Sequence, residues 1–451
     1  MSINKFLGIQ DLPSRPRFFI RSFLLLQVLT SFLMSLSNTF FILFSIDNIG
    51  FVLSSITVSI MFLVQLITDY PSGSLGDWIG QRWVLTISFA CYGIAFFLMV
   101  SAQSFTSFAI IAIINGFGNA QNSGAAQSWL DNNYRKVIGD ADPDRKIYGF
   151  SRLRTIPITR AVLAITFVIG GVLATIVSRQ FVFFIQSFLS AFMIIVVLII
   201  VKDEKIMDSE EISNKKTPEN NYLKHLVGGL KFLFSTKSTF FFLMGAAFIG
   251  STFAIWGSLL LFPIYFGYSG SDILAGFLRT TVFIFGIIMA IFMAKVSKRL
   301  NNNKFPHILF LYMPTFFLSF AALIYLIPPT NTFNPLGWLF VIILINGLTG
   351  TLFDIAMNLQ QRIMLDLVPS EVRNSVYSLI PTLVSILGIF ILPIAGLLIE
   401  IYGLIAGIMA ALFVGIVSVV FITLGVYFMR SSSEGTRIEK SEMVDASSTA
   451  V

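Results

Sequence analysis

Twelve long apolar runs, separated by short polar segments, dominate this sequence of 451 residues. Each run has about 20 residues or more, which is the length that an α-helix needs to cross the hydrocarbon core of a bilayer. Charged residues make up only 12% of the chain, whereas a soluble protein has about 25%. The sequence therefore predicts an all-α integral membrane protein and excludes a soluble enzyme, a disordered scaffold and a coiled coil.

The predicted spans form two groups of six. Those of the first group are 19–44, 50–71, 83–101, 106–131, 150–177 and 180–201. Those of the second group are 239–265, 273–296, 306–327, 337–362, 374–399 and 403–429. We therefore expect two six-helix bundles, residues 1–201 and 239–430. A charged cytoplasmic linker at 202–238, ending in an amphipathic helix on the membrane surface, would join them, and a disordered tail at 431–451 would follow.

Basic residues are distributed unequally between the two sets of loops. One set contains nearly all of them, from Lys5 and Arg15 to Arg430, whereas the six loops on the other side contain only Arg179. Loops rich in Lys and Arg face the cytoplasm, so both termini are predicted to be cytoplasmic, as an even number of spans requires. We expect a multi-pass protein of the plasma membrane.

A short repeat relates the two groups of spans. Asn115-Gly116 lies in the fourth span of the first group, and Asn346-Gly347 lies in the fourth span of the second. The equivalent placement indicates two copies of a six-helix unit. Such repeats are typical of secondary transporters, whose substrate site lies between the halves near the middle of the membrane.

The segment between spans 2 and 3 resembles the cytoplasmic loop signature of the major facilitator superfamily. The matching residues are Gly73, Leu75, Asp77, Gly80 and Arg82. Trp78 and Gln81 stand where the family has basic residues.

This resemblance covers the whole chain through its span count, its two halves and its central linker. It implies the major facilitator fold and transport by alternating access. It also implies that Asp77 holds the cytoplasmic ends of the halves together, with Arg82 and Arg373 as candidate partners. The alternative is that Asp77 only caps the third span.

Three charged residues lie well inside predicted spans: Arg160, Arg279 and Asp354. A charge at the bilayer centre costs roughly 2.5–3.5 kcal/mol on insertion scales, so such residues face a cavity or a partner. Arg160 and Asp354 lie at similar depth in opposite halves, which suggests an ion pair at an inner gate. The alternative is that each pairs within its own half.

Asp354 and Arg279 suggest further roles. Asp354 is the only acid deep in a span, which makes it the candidate for a protonatable coupling site. Arg279 lies about two turns below the outer surface. It either attracts an anionic substrate or extends its side chain to the outer headgroups.

Uncharged polar residues on the spans are further candidates for substrate contact, together with one tryptophan. They are Gln27, Asn38, Asn119, Gln121, Asn122 and Trp256. Amide groups hydrogen-bond a polar solute, but they also join helices to one another, and both interpretations stay open.

The sequence shows no catalytic motif and no nucleotide-binding loop. One cysteine and two histidines leave little for a metal site, so we expect neither an enzyme nor a cofactor. The net charge of +7 is attributed to basic cytoplasmic loops rather than to nucleic-acid binding.

The predicted function is secondary transport of a small polar or anionic solute, driven by a proton or solute gradient. We expect the protein to act as a monomer in the lipid bilayer. Two alternatives stay open, namely efflux of amphipathic compounds and a sensor or assembly protein that has a transporter fold without transport.

Overall fold

A computed structural model describes residues 2–123, 125–142, 146–202, 231–297, 312–329, 337–338, 340–347 and 373–448, with positions 356, 360 and 363. Its first half contains α1 (Ile3–Leu7), α2 (Ser14–Ser35), α3 (Phe41–Ile79), α4 (Gln81–Met99), α5 (Phe105–Asn122), α6 (Ala125–Ile138), α7 (Lys146–Ile176) and α8 (Arg179–Ile200). Its second half contains α9 (Lys237–Ile255), a π-helical turn (Trp256–Leu260), α10 (Leu261–Ser269), α11 (Asp272–Ser297), α12 (Tyr312–Leu326), α13 (Arg373–Tyr402) and α14 (Leu404–Ser448).

Eight segments of the described chain are long and apolar enough to cross a membrane. They lie in α2, α3, α4, α7, α8, α13 and α14, and in the stretch from α9 to α10. The other four predicted spans coincide with α5, α11, α12 and the partly described region 337–363. Large apolar side chains such as Phe188 and Phe413 are exposed on the outside of the bundle, as contact with lipid requires. The all-α architecture predicted from the apolar runs is therefore confirmed.

Polar side chains and glycines define several helix ends. Ser104 and Thr236 each form a capping box, which satisfies backbone N–H groups at the starts of α5 and α9. Gly270 and Gly403 end α10 and α13 with positive φ angles of 68° and 84°, which favour glycine. These ends let the chain reverse within a few residues, so consecutive spans run antiparallel.

The helix order gives the bundle two distinct ends. At one end of the bundle, a basic residue lies in the first turn of each of four helices: Arg15, Arg82, Lys146 and Lys237. We call this end the basic face and the other end the opposite face. The basic face is the one predicted to be cytoplasmic.

In the described part of the chain, two helix pairs make the main contacts between the halves. Within the halves, α3 packs on α5, α4 on α8, and α9 on α14. Between the halves, α3 packs on α13 and α7 packs on α11. Both pairs are antiparallel, and the two pairs share no helix.

Glycines permit close approach of α7 and α11. A Cβ atom added to Gly171 would lie 2.4 Å from the backbone oxygen of Asp272, and one added to Gly276 would lie 2.4 Å from that of Phe167. Both distances are shorter than any ordinary van der Waals contact. Small residues at such crossings stabilise helix pairs in lipid because the backbones touch directly.

We expect Gly171→Ala to destabilise the protein by about 1–3 kcal/mol, because its methyl group overpacks a backbone contact. Gly149→Ala on the same helix is the matched control, since its Cβ would meet nothing within 4 Å. The control should be neutral or stabilising by about 0.5–1 kcal/mol. Thermal unfolding in detergent measures both, and equal melting temperatures would contradict the close approach.

Two segments differ from the sequence-based prediction. Helix α14 continues to Ser448, into the tail for which composition predicts disorder. The tail contains Arg, Glu, Lys and Met, which propagate a helix at little cost once α14 has nucleated it. The segment containing the signature residues, predicted as a loop, lies mostly within α3 and is described with the site.

Candidate functional site

Arg179 joins the two halves at the opposite face. Its Nε and Nη2 atoms donate to the two carboxylate oxygens of Asp272 at 2.9 and 3.0 Å, across the interface of α8 and α11. Its Nη1 atom donates to Asp47 at 2.6 Å within the first half. The side chains of Arg179 and Asp272 are only 15% and 9% exposed, whereas Asp47 is 62% exposed. A two-pronged, largely buried arginine–carboxylate pair therefore closes this end of the interface.

A second bridge lies beside it. A carboxylate oxygen of Glu400, at the end of α13, accepts a hydrogen bond of 2.7 Å from the backbone N–H of Val52 in α3. Gly50 turns the chain just before Val52 with a φ angle of 76°, and a Cβ atom there would lie 3.0 Å from the Glu400 carboxylate. The glycine leaves room for this contact, so both interface pairs are tied at the opposite face.

A buried polar cluster lies below this closed end. The hydroxyl of Tyr265 in α10 faces the guanidinium of Arg279 in α11 and the side-chain amide of Asn346. Tyr265 is completely buried and Asn346 is 9% exposed. Within the described chain, neither the Tyr265 hydroxyl nor Arg279 Nε reaches a partner with hydrogen-bond geometry.

The cluster adjoins the interface between the halves. Thr280, next to Arg279, donates to the backbone oxygen of Ala164 in α7 at 2.6 Å. The Arg279 guanidinium also lies 4.7 Å from the centre of the Phe283 ring. Arg279 thus lies beside the helix contact that joins the halves, and its guanidinium packs against Phe283 of its own helix.

The amide residues of α5 have mixed roles. The Tyr92 hydroxyl in α4 donates to Asn119 Oδ1 at 2.8 Å, which joins the two helices. Gln121 is 2% exposed, and its Oε1 atom has no hydrogen-bond partner among the described residues. Asn122 is half-buried at the end of α5. Asn119 therefore matches the helix-joining interpretation, whereas Gln121 keeps a free acceptor.

Trp256 lies in packed aromatic surroundings. Its ring contacts Phe316, Phe317 and Phe320 of α12 at centroid distances of 4.9, 6.0 and 4.9 Å. It is 6% exposed and begins the π-helical turn. This placement favours a packing role over the predicted substrate contact.

The signature segment forms a helix end rather than an open loop. Gly80 alone separates α3 from α4, with φ 89° and ψ 151°, and its N–H donates to the Gly76 oxygen at 3.1 Å. Arg82 Nη2 donates to the backbone oxygen of Leu198 in α8 at 2.6 Å. Only glycine adopts such a backbone conformation readily, so the segment can be helical on both sides of it.

For three predicted site residues the structure gives the position and the exposure but no contact with another predicted site residue. Arg160 and Asn38 are exposed, in α7 and between α2 and α3, and Gln27 is half-buried in α2. The expectation that the charge of Arg160 faces a cavity or a partner therefore stays a prediction.

Other predictions fall where the structure is not described. Gly73, Leu75 and Asp77 belong to α3, and Arg373 begins α13, but their surroundings lie outside the described part. Asp354 lies outside the described residues altogether. The Asp77 latch and the Arg160–Asp354 pair therefore stay predictions.

The structure adds residues that the sequence analysis did not select. They are Tyr265, Asn346 as a site residue, Asp47, Asp272 and Glu400. The sequence contains a signal for two of them, Asp47 and Asp272. Arg179 is the only basic residue in the six loops at the opposite face, and a lone cation there indicates an acidic partner nearby.

A polar corner connects α6 to α7 at the basic face. Asp142 accepts hydrogen bonds from the Tyr134 hydroxyl at 2.7 Å and from the Tyr148 N–H at 3.0 Å. Burial alone would raise the pKa of Asp142. The two bonds above, together with bonds from the backbone N–H groups of Lys146 and Ile147, hold its pKa below the usual value. The pKa of the Tyr134 hydroxyl is raised, mainly because the group is buried and secondly because it lies beside the Asp142 carboxylate.

Because the pKa of Asp142 is lowered by folding, its stabilising effect exists above the ordinary Asp pKa of about 3.9 and is lost as pH falls through the folded value. We expect Asp142→Asn to destabilise the protein by about 1–2 kcal/mol at pH 7. The difference from wild type should shrink below about pH 4. Melting curves in detergent at both pH values test this, with exposed Asp11→Asn as control. A difference that grows in acid would contradict the assignment.

Comparison with known proteins gives a family and a fold. The family described as Major Facilitator Superfamily matches residues 23–393. The crystal structure of nucleoside transporter NupG superposes with a TM-score of 0.67 at 16% identity, over 91% of this chain and 98% of that one. The crystal structure of a D-xylose-proton symporter gives 0.60 at 13% identity, over 89% and 97% of the two chains. No curated protein sequence matches.

Proposed function

Since the chain belongs to the Major Facilitator Superfamily, we propose that it is a secondary transporter that moves a small polar or anionic solute by alternating access. The membrane-spanning helices and the two interface pairs supply the framework. The solved structures that share this fold are transporters by name, a nucleoside transporter and a D-xylose-proton symporter.

The observation that supports the substrate class is the buried cluster around Arg279. Its guanidinium lies against Tyr265 and Phe283, and Asn346 faces the same Tyr265 hydroxyl. Its Nε atom has no acceptor in the described chain. A guanidinium whose Nε atom is buried without an acceptor attracts an anionic or strongly polar group, because the interior is a poorer solvent for charge than water.

The Arg179 network would act as the gate at the opposite face. With its bonds to Asp272 and Asp47 formed, the solute pathway is closed at that end, so release or entry proceeds from the basic face. Breaking the pair between Arg179 and Asp272 would free the halves to separate there. Arg160 and Asp354 would serve the same purpose towards the basic face.

Proton coupling is assigned to Asp354. We expect Asp354→Asn to abolish accumulation driven by a pH gradient, since an amide cannot take up or release a proton in this range. Exchange of labelled for unlabelled solute, which needs no net proton movement, should persist. Asp11→Asn, an exposed acid outside the spans, is the control. Unchanged accumulation in Asp354→Asn would remove the coupling assignment.

The function itself is tested with purified protein in liposomes. Uptake is measured with and without a pH gradient across organic anions, nucleosides, pentoses and cationic dyes. Saturable uptake of an anion or polar solute is the expected result. Transport of dyes alone would favour efflux of amphipathic compounds, and no flux for any of the four classes would contradict a transport function.

A further inference from the structure

A groove of about 430 Å³ opens at the basic face between α2, α6 and α8. Its lining includes Arg15, Phe18, Phe19 and Ser22 of α2, Trp129 of α6, and Lys202 after the end of α8. The volume is within the usual range of small-molecule sites. The groove is on the outside of the first half and shares no residue with the cluster around Arg279.

The floor of this groove is built from fixed side chains. Trp129 is 2% exposed, and its ring packs against Phe19 at a centroid distance of 5.0 Å. Its Nε1 atom donates to the backbone oxygen of Lys202 at 3.1 Å, which ties α6 to the end of α8. Asn133 donates to the Trp129 backbone oxygen at 2.8 Å, so its amide does not need a ligand. The groove is thus a preformed apolar slot.

The rim of the groove differs from its floor. Phe18 and Ile199 are 64% and 65% exposed, and they extend the apolar surface outward to where the acyl chains of a bilayer lie. Arg15, at the start of α2, and Lys202, after the end of α8, supply two cationic groups at the basic face. One end of the groove is therefore apolar and continuous with lipid, and the other end is positively charged at headgroup level.

We propose that this groove is a binding site for an anionic phospholipid. One acyl chain lies along Phe18, Phe19 and Ile199, and the phosphate is held by Arg15 and Lys202. Basic pockets between spans on the cytoplasmic side recognise anionic headgroups, and the apolar slot adds acyl-chain contact that a free phosphate ion cannot make. Lipid binding here does not require that the protein transports a solute.

Bound lipid would link α6 to the ends of α2 and α8. Helix α6 leads directly through the Asp142 corner into α7, which packs on α11 across the interface. A phosphate shared by Arg15 and Lys202 would tie the start of α2 to the end of α8, to which Trp129 of α6 is hydrogen-bonded. The expected result is higher thermal stability in bilayers that contain anionic lipid.

Photo-crosslinking tests occupancy on the full chain. A photoreactive phenylalanine analogue replaces Phe18, and the protein is reconstituted in nanodiscs of phosphatidylcholine with a minority of phosphatidylglycerol. Irradiation should produce adducts with the mass of phosphatidylglycerol at several times its share of the bilayer. Adducts in proportion to bilayer composition would overturn the proposal, as would crosslinks to residues 203–230, the segment that follows Lys202.

Charge and volume variants test the two parts of the site separately. Arg15→Gln with Lys202→Gln should reduce the enrichment to near the bulk ratio, and Ser22→Phe, which fills the slot, should reduce total lipid adducts. Arg17→Gln is the matched control, a neighbouring arginine that does not line the groove. Inorganic phosphate added in excess should leave the adducts unchanged. Competition by phosphate, or an equal loss in Arg17→Gln, would show general electrostatic attraction instead of a site.

Discussion

Arg279→Gln is expected to reduce uptake of the accumulated solute by about 30-fold to more than 1000-fold. Removing one partner from a buried, charge-assisted contact costs roughly 2–5 kcal/mol, and each 1.4 kcal/mol corresponds to a factor of ten. Glutamine keeps part of the length and one donor group but lacks the charge. The loss should be greater for an anionic solute than for a neutral polar analogue, and initial rates of uptake into liposomes measure it.

Two companion variants show whether this loss is specific. Tyr265→Phe removes only the hydroxyl that faces Arg279 and should reduce uptake by about two- to tenfold, the value of one hydrogen bond from that hydroxyl to the solute. Arg154→Gln, an arginine near the basic end of α7 that stacks on Phe6 and Phe150, should transport like wild type. If Arg279→Gln melts as wild type does and still transports normally, Arg279 is a structural residue and the substrate assignment is wrong.

Asp272→Asn is expected to open the opposite face. Breaking a largely buried ion pair costs about 3–5 kcal/mol because the remaining charge loses its partner. A shift of this size is more than 100-fold, so a closed to open ratio of about 99:1 would fall below 1:1. Electron paramagnetic resonance measures the distance between spin labels at exposed Gln103 in the first half and Tyr325 in the second, in a Cys91→Ser background. The long-distance population should become the major one.

Asp47→Asn is the matched control for this variant. Both carboxylates bind Arg179, but Asp47 is 62% exposed and belongs to the same half as the arginine. An exposed pair contributes about 0–1 kcal/mol, so the distance distribution should hardly change. Equal effects of the two variants would mean that the network stabilises the loops and does not hold the halves together.

Burial of apolar surface in lipid made most of the architecture predictable. Any chain with twelve apolar runs of bilayer length must hydrogen-bond its backbone internally, and helices do so within each run. Span boundaries were harder to locate at sharp turns. The signature segment, predicted as a loop, is helical up to Gly80, because one glycine with positive φ suffices to turn the chain.

The site was only partly predictable, for a related physical reason. Arg279 was selected because a charge deep in a span needs a partner. Tyr265 was not, because tyrosine is common in membrane proteins and its importance depends on which residue it faces. Asp272, in the first turn of α11, has the usual position of an acid that stabilises a helix N-terminus, so its sequence context did not indicate a bridge between the halves.

The π-helical turn at Trp256–Leu260 determines which residues the second half presents to its interior. A π-turn accommodates one residue more than an α-turn, so everything beyond it is rotated by about 100° around the helix axis. Tyr265 lies beyond that turn, five positions after its last residue. A single inserted or deleted codon between 256 and 260 would therefore turn all of α10 by about 100° at once, so that Tyr265 and every other inward residue of that helix would leave its present position together.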